Sequence, residues 1–347
     1  MKWFKIMKKT SLKWLSMLLL FFFILLSSLG INLPVQAQVI QLIPGGETIG
    51  IKIDTGIYVV GKFQVETVRG KVSPWKKSDI QNGDQIVQID GKKIANNREL
   101  SSILQTTKEP NVILTIERNH NLFNTAIDVV LSKTNEKTIG IYVKDRLLGV
   151  GTLTFIDPKT MRYGALGHGI YDSTIDLGST NGELLTSTVE SIKKGTPGTP
   201  GEKRASMKSE VLGTIESNRA TGIYGMIKKS VLLNKKAIPI ATQHQVKKGR
   251  AYFLTVIDKG KVESFDLEII DVNYQENSSI KGIKVKITDI DLVEVTGGII
   301  QGMSGSPIIQ DGKIVGAISH VTVENPLIGY GIFLEWMLQD FTNFDTN

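Results

Sequence analysis

Gln301-Gly302-Met303-Ser304-Gly305-Ser306-Pro307-Ile308-Ile309 concentrates more chemistry than any other nine residues of the chain. Gly302 and Gly305 let the backbone turn tightly around Ser304. Such a turn aims the N–H groups of Gly302 and Ser304 at one point. Two convergent donors beside a hydroxyl are what an oxyanion needs in acyl transfer. Pro307 and the apolar residues after it read as an exit strand. Around this segment, from Thr138 onward, Gly, Thr, Val and Ile dominate. Short strands are expected over 149–156, 251–256, 283–287 and 314–323, and helical periodicity only over 333–341. Many short strands with frequent turns predict an all-β barrel or sandwich. Residues 194–203 (KGTPGTPGEK) hold too much Gly and Pro for a regular element and read as a surface loop.

A serine nucleophile needs a base, and that base is usually histidine. The chain has 4 His. His120 lies in a hairpin of the preceding domain, and His244 sits among glutamines and lysines as a solvated residue. His320 alternates with Ile318 inside an apolar strand, which suits a packed or supporting role. His168, in Gly167-His168-Gly169 after a strand-like run, has glycines that leave its ring room to face a cleft, and it is the expected base. An acid would orient the imidazole and stabilise its cation. Asp258, Asp266, Asp271, Asp289 and Asp291 all precede the serine, and the residues alone do not separate them. No cofactor is expected: four scattered histidines, no Cys and no His-Glu-x-x-His helix argue against zinc.

Upstream, residues 47–132 read as a small α+β domain. Asp90-Gly91 between apolar alternations signals a hairpin. Leu100, Ile103 and Leu104 fall on one face of a helix with an asparagine cap. Residues 111–117 and 125–131 look like closing strands. Further upstream, five lysines precede the 15–29 run LSMLLLFFFILLSSL. That pattern is an export segment with its N-terminus inside. Val35-Gln36-Ala37 offers a cleavage site, and a retained membrane anchor is the alternative. Residues 38–46 then form an exposed stalk.

Composition narrows the classes further. The chain has 347 residues with 41 Lys+Arg and 34 Asp+Glu. The five leader lysines account for most of the excess, leaving 36 against 34. A body so close to neutral gives no electrostatic case for nucleic acid. Zero Cys excludes disulfides and a cysteine nucleophile.

Ser73-Pro74, Ile80 through Ile86 and Ile89-Asp90-Gly91 together resemble the PDZ pattern. The resemblance implies a groove in which a peptide adds as a strand. It places the carboxylate-holding loop at Thr48-Ile49-Gly50-Ile51. Gly302 through Pro307 resembles the nucleophile loop of chymotrypsin-like serine peptidases. With Gly-His-Gly, Pro-Gly-Glu-Lys (200–203) and the 296–307 segment TGGIIQGMSGSP, nearly the whole chain is similar to the stage IV sporulation protein B peptidase family. The resemblance implies a mainly β protein: a PDZ-like domain at 47–132, then a chymotrypsin-like β-barrel peptidase domain at 138–341. It implies a serine endopeptidase using His168, Asp289 and Ser304. Asp289 is taken from the family's acid, fifteen positions before the serine. The protein is expected outside the cytoplasmic membrane, in the forespore intermembrane space, and membrane-associated until cleaved. There it would cut itself and a regulatory subunit of a membrane-embedded protease complex, triggering late sigma-factor processing. Its PDZ-like domain would bind a peptide, its own N-terminal segment included. Two other readings stand beside this one. One is a non-catalytic envelope scaffold built on the PDZ-like module. The other is an envelope quality-control protease, although those place the peptidase before the PDZ domains.

Overall fold

Thr48-Ile49-Gly50-Ile51-Lys52-Ile53-Asp54 alternates with period two, and Ile49, Ile51 and Ile53 are all buried on one strand face. The computed structural model describes residues 40–172, 181–232 and 235–342. The export segment at 1–37 lies outside the described residues. Among those described, no helix is long and apolar enough to cross a membrane.

The chain opens with β1 (Gln41–Pro44) and β2 (Thr48–Lys62). A small module follows: β3 (Gln85–Ile89), helix α1 (Asn97–Thr106), β4 (Asn111–Arg118) and β5 (Asn121–Asp128). Then β6 (Ile141–Ile156) runs back antiparallel along β2, from Ile141 opposite Lys62 to Thr152 opposite Thr48. β2 therefore serves two cores. Its end, where Ile57 pairs with Ile86, closes over Ile57, Val59, Ile86, Leu100 and Leu104. Its beginning belongs to a larger β unit around Ile51, Leu153, Tyr163 and Leu184. The module is thus an insertion between two long strands. A clean boundary near 132–138 does not describe the packing, because 48–54 pairs inside the larger unit. The expected stalk at 38–46 is also corrected from Gln41 on. Leu42 and Ile43 are 2% and 3% exposed, and Ile43 pairs with Ile156. Their apolar side chains favour the core over solvent.

Inside the module the local expectations hold. Asp90 and Gly91 both have positive φ, the primed-turn geometry that an Asp-Gly pair adopts most readily. The cap of α1 is Asn96, whose side chain accepts the Glu99 N–H at 3.0 Å, while the Glu99 carboxylate accepts the Ala95 N–H at 2.9 Å. Asp84, 1% exposed, accepts a bidentate pair from Arg118 at 2.6 and 2.7 Å. Its Oδ2 also accepts the Gln81 N–H at 2.7 Å, which fixes the Gly-Asp turn.

The first half of the larger unit adds β7 (Arg162–Ala165), β8 (Asn181–Lys193), β9 (Glu202–Ile215) and β10 (Gly222–Met226). Around the shared strands the order is β10–β7–β6–β2–β8–β9. The second half holds β11 (Gly249–Val256), β12 (Val262–Val272), β13 (Ile283–Ile287), helix α2 (Ile290–Thr296), β14 (Pro307–Gln310), β15 (Lys313–Val321) and β16 (Ile328–Phe333). Its strands close into an antiparallel barrel in the order β11–β12–β13–β16–β15–β14. Phe253, Leu267, Met303, Ile318 and Phe333 fill it. Helix α3 (Leu334–Thr342) then joins the halves. Leu334, Met337 and Phe341 pack with Phe155 and Tyr224 of the first half and Ile314, Ala317 and Ile332 of the barrel. The mainly β expectation holds. Helical periodicity is expected only over 333–341, so helix α2 is a correction, considered below.

Candidate active site

The serine loop runs from α2 into β14, and its shape is set by glycines and by β6. Gly302 and Gly305 have φ of +92° and +93°. Thr152 Oγ1 donates to the Gly302 carbonyl at 2.7 Å, and the Thr152 N–H to the Ser304 carbonyl at 3.0 Å. Thr154 Oγ1 donates to the Gly305 carbonyl at 2.8 Å. Met303, fully buried in the barrel, anchors the loop from below. With these carbonyls held by β6, the N–H groups of Gly302 and Ser304 have no carbonyl acceptor among the described residues. Unengaged donors are one requirement of an oxyanion hole; convergence on a single point is the other.

His168 reaches the same place from the first half. β7 ends at Ala165, and the chain turns through Leu166 and Gly167, both at positive φ. The Leu166 N–H donates to the Thr152 carbonyl at 3.2 Å, so one residue of β6 holds both the serine loop and the histidine turn. A Cβ on Gly169 would stand 2.6 Å from the Arg219 carbonyl oxygen, which explains the second glycine. Nδ1 of His168 lies 2.9 Å from the Gly169 carbonyl oxygen. A carbonyl only accepts, so Nδ1 carries the proton and Nε2 keeps the lone pair that a general base needs.

His168 and Ser304 line one cleft of about 430 Å³, with Ile51, Leu147, Val150 and Ile170 on its apolar walls. Both are half-buried. They are not hydrogen-bonded to each other here. The Ser304 hydroxyl donates to the Ser319 carbonyl at 3.3 Å. Catalytic hydrogen bonds commonly tighten only when substrate is bound. His320, next along β15, has its ring centroid 5.5 Å from that of His168. Burial, then His168 and Lys281, hold His320 below the ordinary histidine range.

Asp289 does not join this pair. It is the N-cap of α2, where Oδ1 accepts the Leu292 N–H at 2.9 Å and Oδ2 the Asp266 N–H at 3.2 Å. Among the described residues it makes no hydrogen bond or ion pair to His168, and it does not line the cleft. Asp291 is exposed in the first turn of α2. A signal was present in the sequence: Asp289, apolar residues three and four positions on, then Gly297-Gly298, the punctuation of a short capped helix. The cap makes a prediction. Asp289→Ala lowers stability by about 1 kcal/mol, and Asp289→Asn restores most of it. Hydrolytic rates per folded molecule change little in either. A rate loss above tenfold in a folded Asp289→Asn protein would return Asp289 to the catalytic group.

Ile49, Gly50 and Ile51, expected to hold a peptide carboxylate, are also corrected. They lie in β2 between β6 and β8, with Gly50 opposite Val150 on one side and Leu185 on the other. Ladders on both edges engage the backbone and leave no N–H row free for a ligand. The Ile51 side chain instead lines the cleft of Ser304. The inserted module keeps a separate cleft of about 630 Å³ lined by Leu100, Leu104, Lys137 and Ile139.

Sequence reasoning passed over Lys203. It follows the 194–201 loop, and its N–H donates to the Gln301 carbonyl at 2.9 Å, directly behind the serine loop. Its ammonium is buried and donates to Thr255 Oγ1 at 2.7 Å, with no acid partner among the described residues. Burial pulls it down to about 7. Between that value and the usual lysine range the unfolded chain binds the extra proton. Stability therefore rises with pH across this window. Wild type gains on the order of 2 kcal/mol between pH 7 and 9, and Lys203→Met gains much less. Urea midpoints at the two pH values measure it, and equal slopes would refute the assignment.

No curated protein matches the chain. Among solved structures it is similar to the inactive form of the Rv3671c protease, at 13% identity and TM-score 0.34 over 56% of this chain and 84% of that one. The active form of the Rv3671c protease from M. tuberculosis gives 13% and 0.33, over 57% and 74%. Human heparin binding protein gives 9% and 0.30, over 55% and 83%. The PDZ domain pattern matches residues 39–117. The SpoIVB peptidase S55 pattern matches residues 135–338, more than half of the chain, which contain the serine loop, the histidine turn and the barrel. This PDZ-containing chain belongs to the SpoIVB peptidase S55 family of serine peptidases.

Proposed function

We propose that the protein is a serine endopeptidase in which Ser304 is the nucleophile and His168 the general base. The observation that carries this reading is the shared cleft: a serine loop from the barrel and a histidine turn from the other half, both tied to Thr152. Ser304 Oγ bonds the carbonyl carbon of the scissile peptide while its proton passes to Nε2 of His168. The carbonyl oxygen, now anionic, accepts from the N–H groups of Gly302 and Ser304. Collapse of the tetrahedral species breaks the C–N bond, and His168 returns the proton to the leaving amine. Water then repeats the sequence against the acyl-enzyme.

In the cell, the reading is a sporulation signalling peptidase exported across the cytoplasmic membrane and held there by its N-terminal segment. It cleaves itself and a regulatory subunit of a membrane-embedded protease complex, and so triggers late sigma-factor processing. The burial of Leu42 and Ile43 supports a self-cleavage point before β1, where Ile40 is 53% exposed. The cleft beside α1 is the proposed seat of a peptide on the PDZ module. The test uses purified full-length protein. Fluorophosphonate labelling together with a cut N-terminal to β1, both lost in Ser304→Ala, is the expected result. A folded wild type that neither labels nor cuts itself overturns it.

A further inference from the structure

His168 has no carboxylate partner among the described residues, yet it has a neighbour that the mechanism above does not use. The His320 ring stands 5.5 Å from it, tilted by 55°, within the range of direct ring contact. His320 sits on β15 immediately after Ser319, whose carbonyl holds the Ser304 hydroxyl. Its Nδ1 is buried and has no hydrogen-bond partner among the described residues. A buried polar atom without a partner costs stability, and such exceptions call for a reason. The ionisable groups acting on this ring are His168, from the turn after β7, and Lys281, just before β13. Both favour an uncharged His320.

We propose that His320 is the positioning residue of this active site, taking the place an acid occupies in a Ser-His-Asp arrangement. The inference rests on the serine peptidase reading above. With its proton on Nε2, neutral His320 presents a buried Nδ1 lone pair beside the His168 ring. When His168 accepts the Ser304 proton it becomes a cation with two N–H groups. The Gly169 carbonyl takes one in the resting geometry, and on this proposal the lone pair of the neighbouring His320 shares it as the ring shifts towards Ser304. The interaction strengthens only once positive charge forms, as differential stabilisation of a transition state requires. No proton is transferred to His320.

The experiment follows fluorophosphonate labelling of full-length protein against pH in wild type, His320→Ala, His320→Gln and His168→Ala, with thermal melting as the folding check. Labelling in His320→Ala is expected to slow by about 10- to 100-fold, a fraction of a general-base contribution. The pH midpoint of its labelling should move down, because His168 loses an acceptor for its cationic form. His320→Gln, which keeps an acceptor in a side chain of similar reach, should recover part of the rate. His168→Ala should abolish labelling. Folded His320→Ala protein that labels within twofold of wild type, with an unmoved midpoint, overturns the role of His320 while wild-type labelling leaves the peptidase reading standing. Wild type that does not label overturns both.

Discussion

Ser304→Ala yields a protein with wild-type stability and no nucleophile. The hydroxyl makes one long bond, 3.3 Å to the Ser319 carbonyl, from a half-buried position. Its loss costs about 1 kcal/mol at most. The loop does not depend on it: Thr152 and Thr154 hold the loop through main-chain carbonyls, and Met303 through burial. On the proposed mechanism, catalysis depends on it entirely. Removing the nucleophile of such a group costs on the order of 10⁶-fold in rate, leaving only what binding and the oxyanion donors provide. Ser306 supplies the control two residues away. It is fully buried and its hydroxyl has no hydrogen-bond partner among the described residues. Ser306→Ala removes a hydroxyl from the same loop, and labelling should persist. Comparable labelling of wild type and Ser304→Ala would place the reactive group elsewhere.

The residues that could be read in advance are those whose role is local. Ser304 and its flanking glycines form a backbone device encoded in a few consecutive residues. So does His168 between Gly167 and Gly169. The Asp90-Gly91 turn and the face of α1 are likewise set by near neighbours. What escaped was set by pairing across the chain. The Thr48–Ile51 segment matches a ligand loop as a string, yet β6 and β8 claim both of its edges from about 100 and 135 positions away. That β2 runs through two cores is invisible to any reading that cuts the chain into domains first. Asp289 shows the other failure. Its spacing from Ser304 suits a catalytic acid, but two backbone N–H groups reach its carboxylate first. Lys203 was visible only as the end of the 200–203 motif, and nothing local foretold its burial, which is produced by the barrel, the 194–201 loop and the serine loop closing around it.

Gly305→Ala is the backbone counterpart of Ser304→Ala, and its effect is large for a different reason. At φ +93° any side chain is strained, by about 1–2 kcal/mol. Space adds to this. A Cβ there would lie 2.2 Å from the Thr152 carbonyl oxygen and 2.5 Å from the Leu166 nitrogen. Both are main-chain atoms, so neither can rotate away. One belongs to the strand that holds the serine loop and the other to the turn that carries His168. Relief therefore requires the segments that carry Ser304 and His168 to move apart. Overpacking of this kind costs a further 1–3 kcal/mol or so. A displacement near 1 Å between nucleophile and base costs roughly 100-fold in rate. The expected result is a lower urea midpoint, by about 3 kcal/mol in stability, together with labelling slowed 100-fold or more. Gly302→Ala separates strain from crowding. Its φ is +92°, but the nearest atoms to an added Cβ are side-chain carbons of Lys203 at 3.1–3.3 Å, which need give only by a few tenths of an ångström. It should lose less of both stability and labelling. Equal losses in the two variants would mean that backbone strain alone sets the loop. Contact among β6, the histidine turn and Gly305 would then not be what brings Ser304 and His168 together.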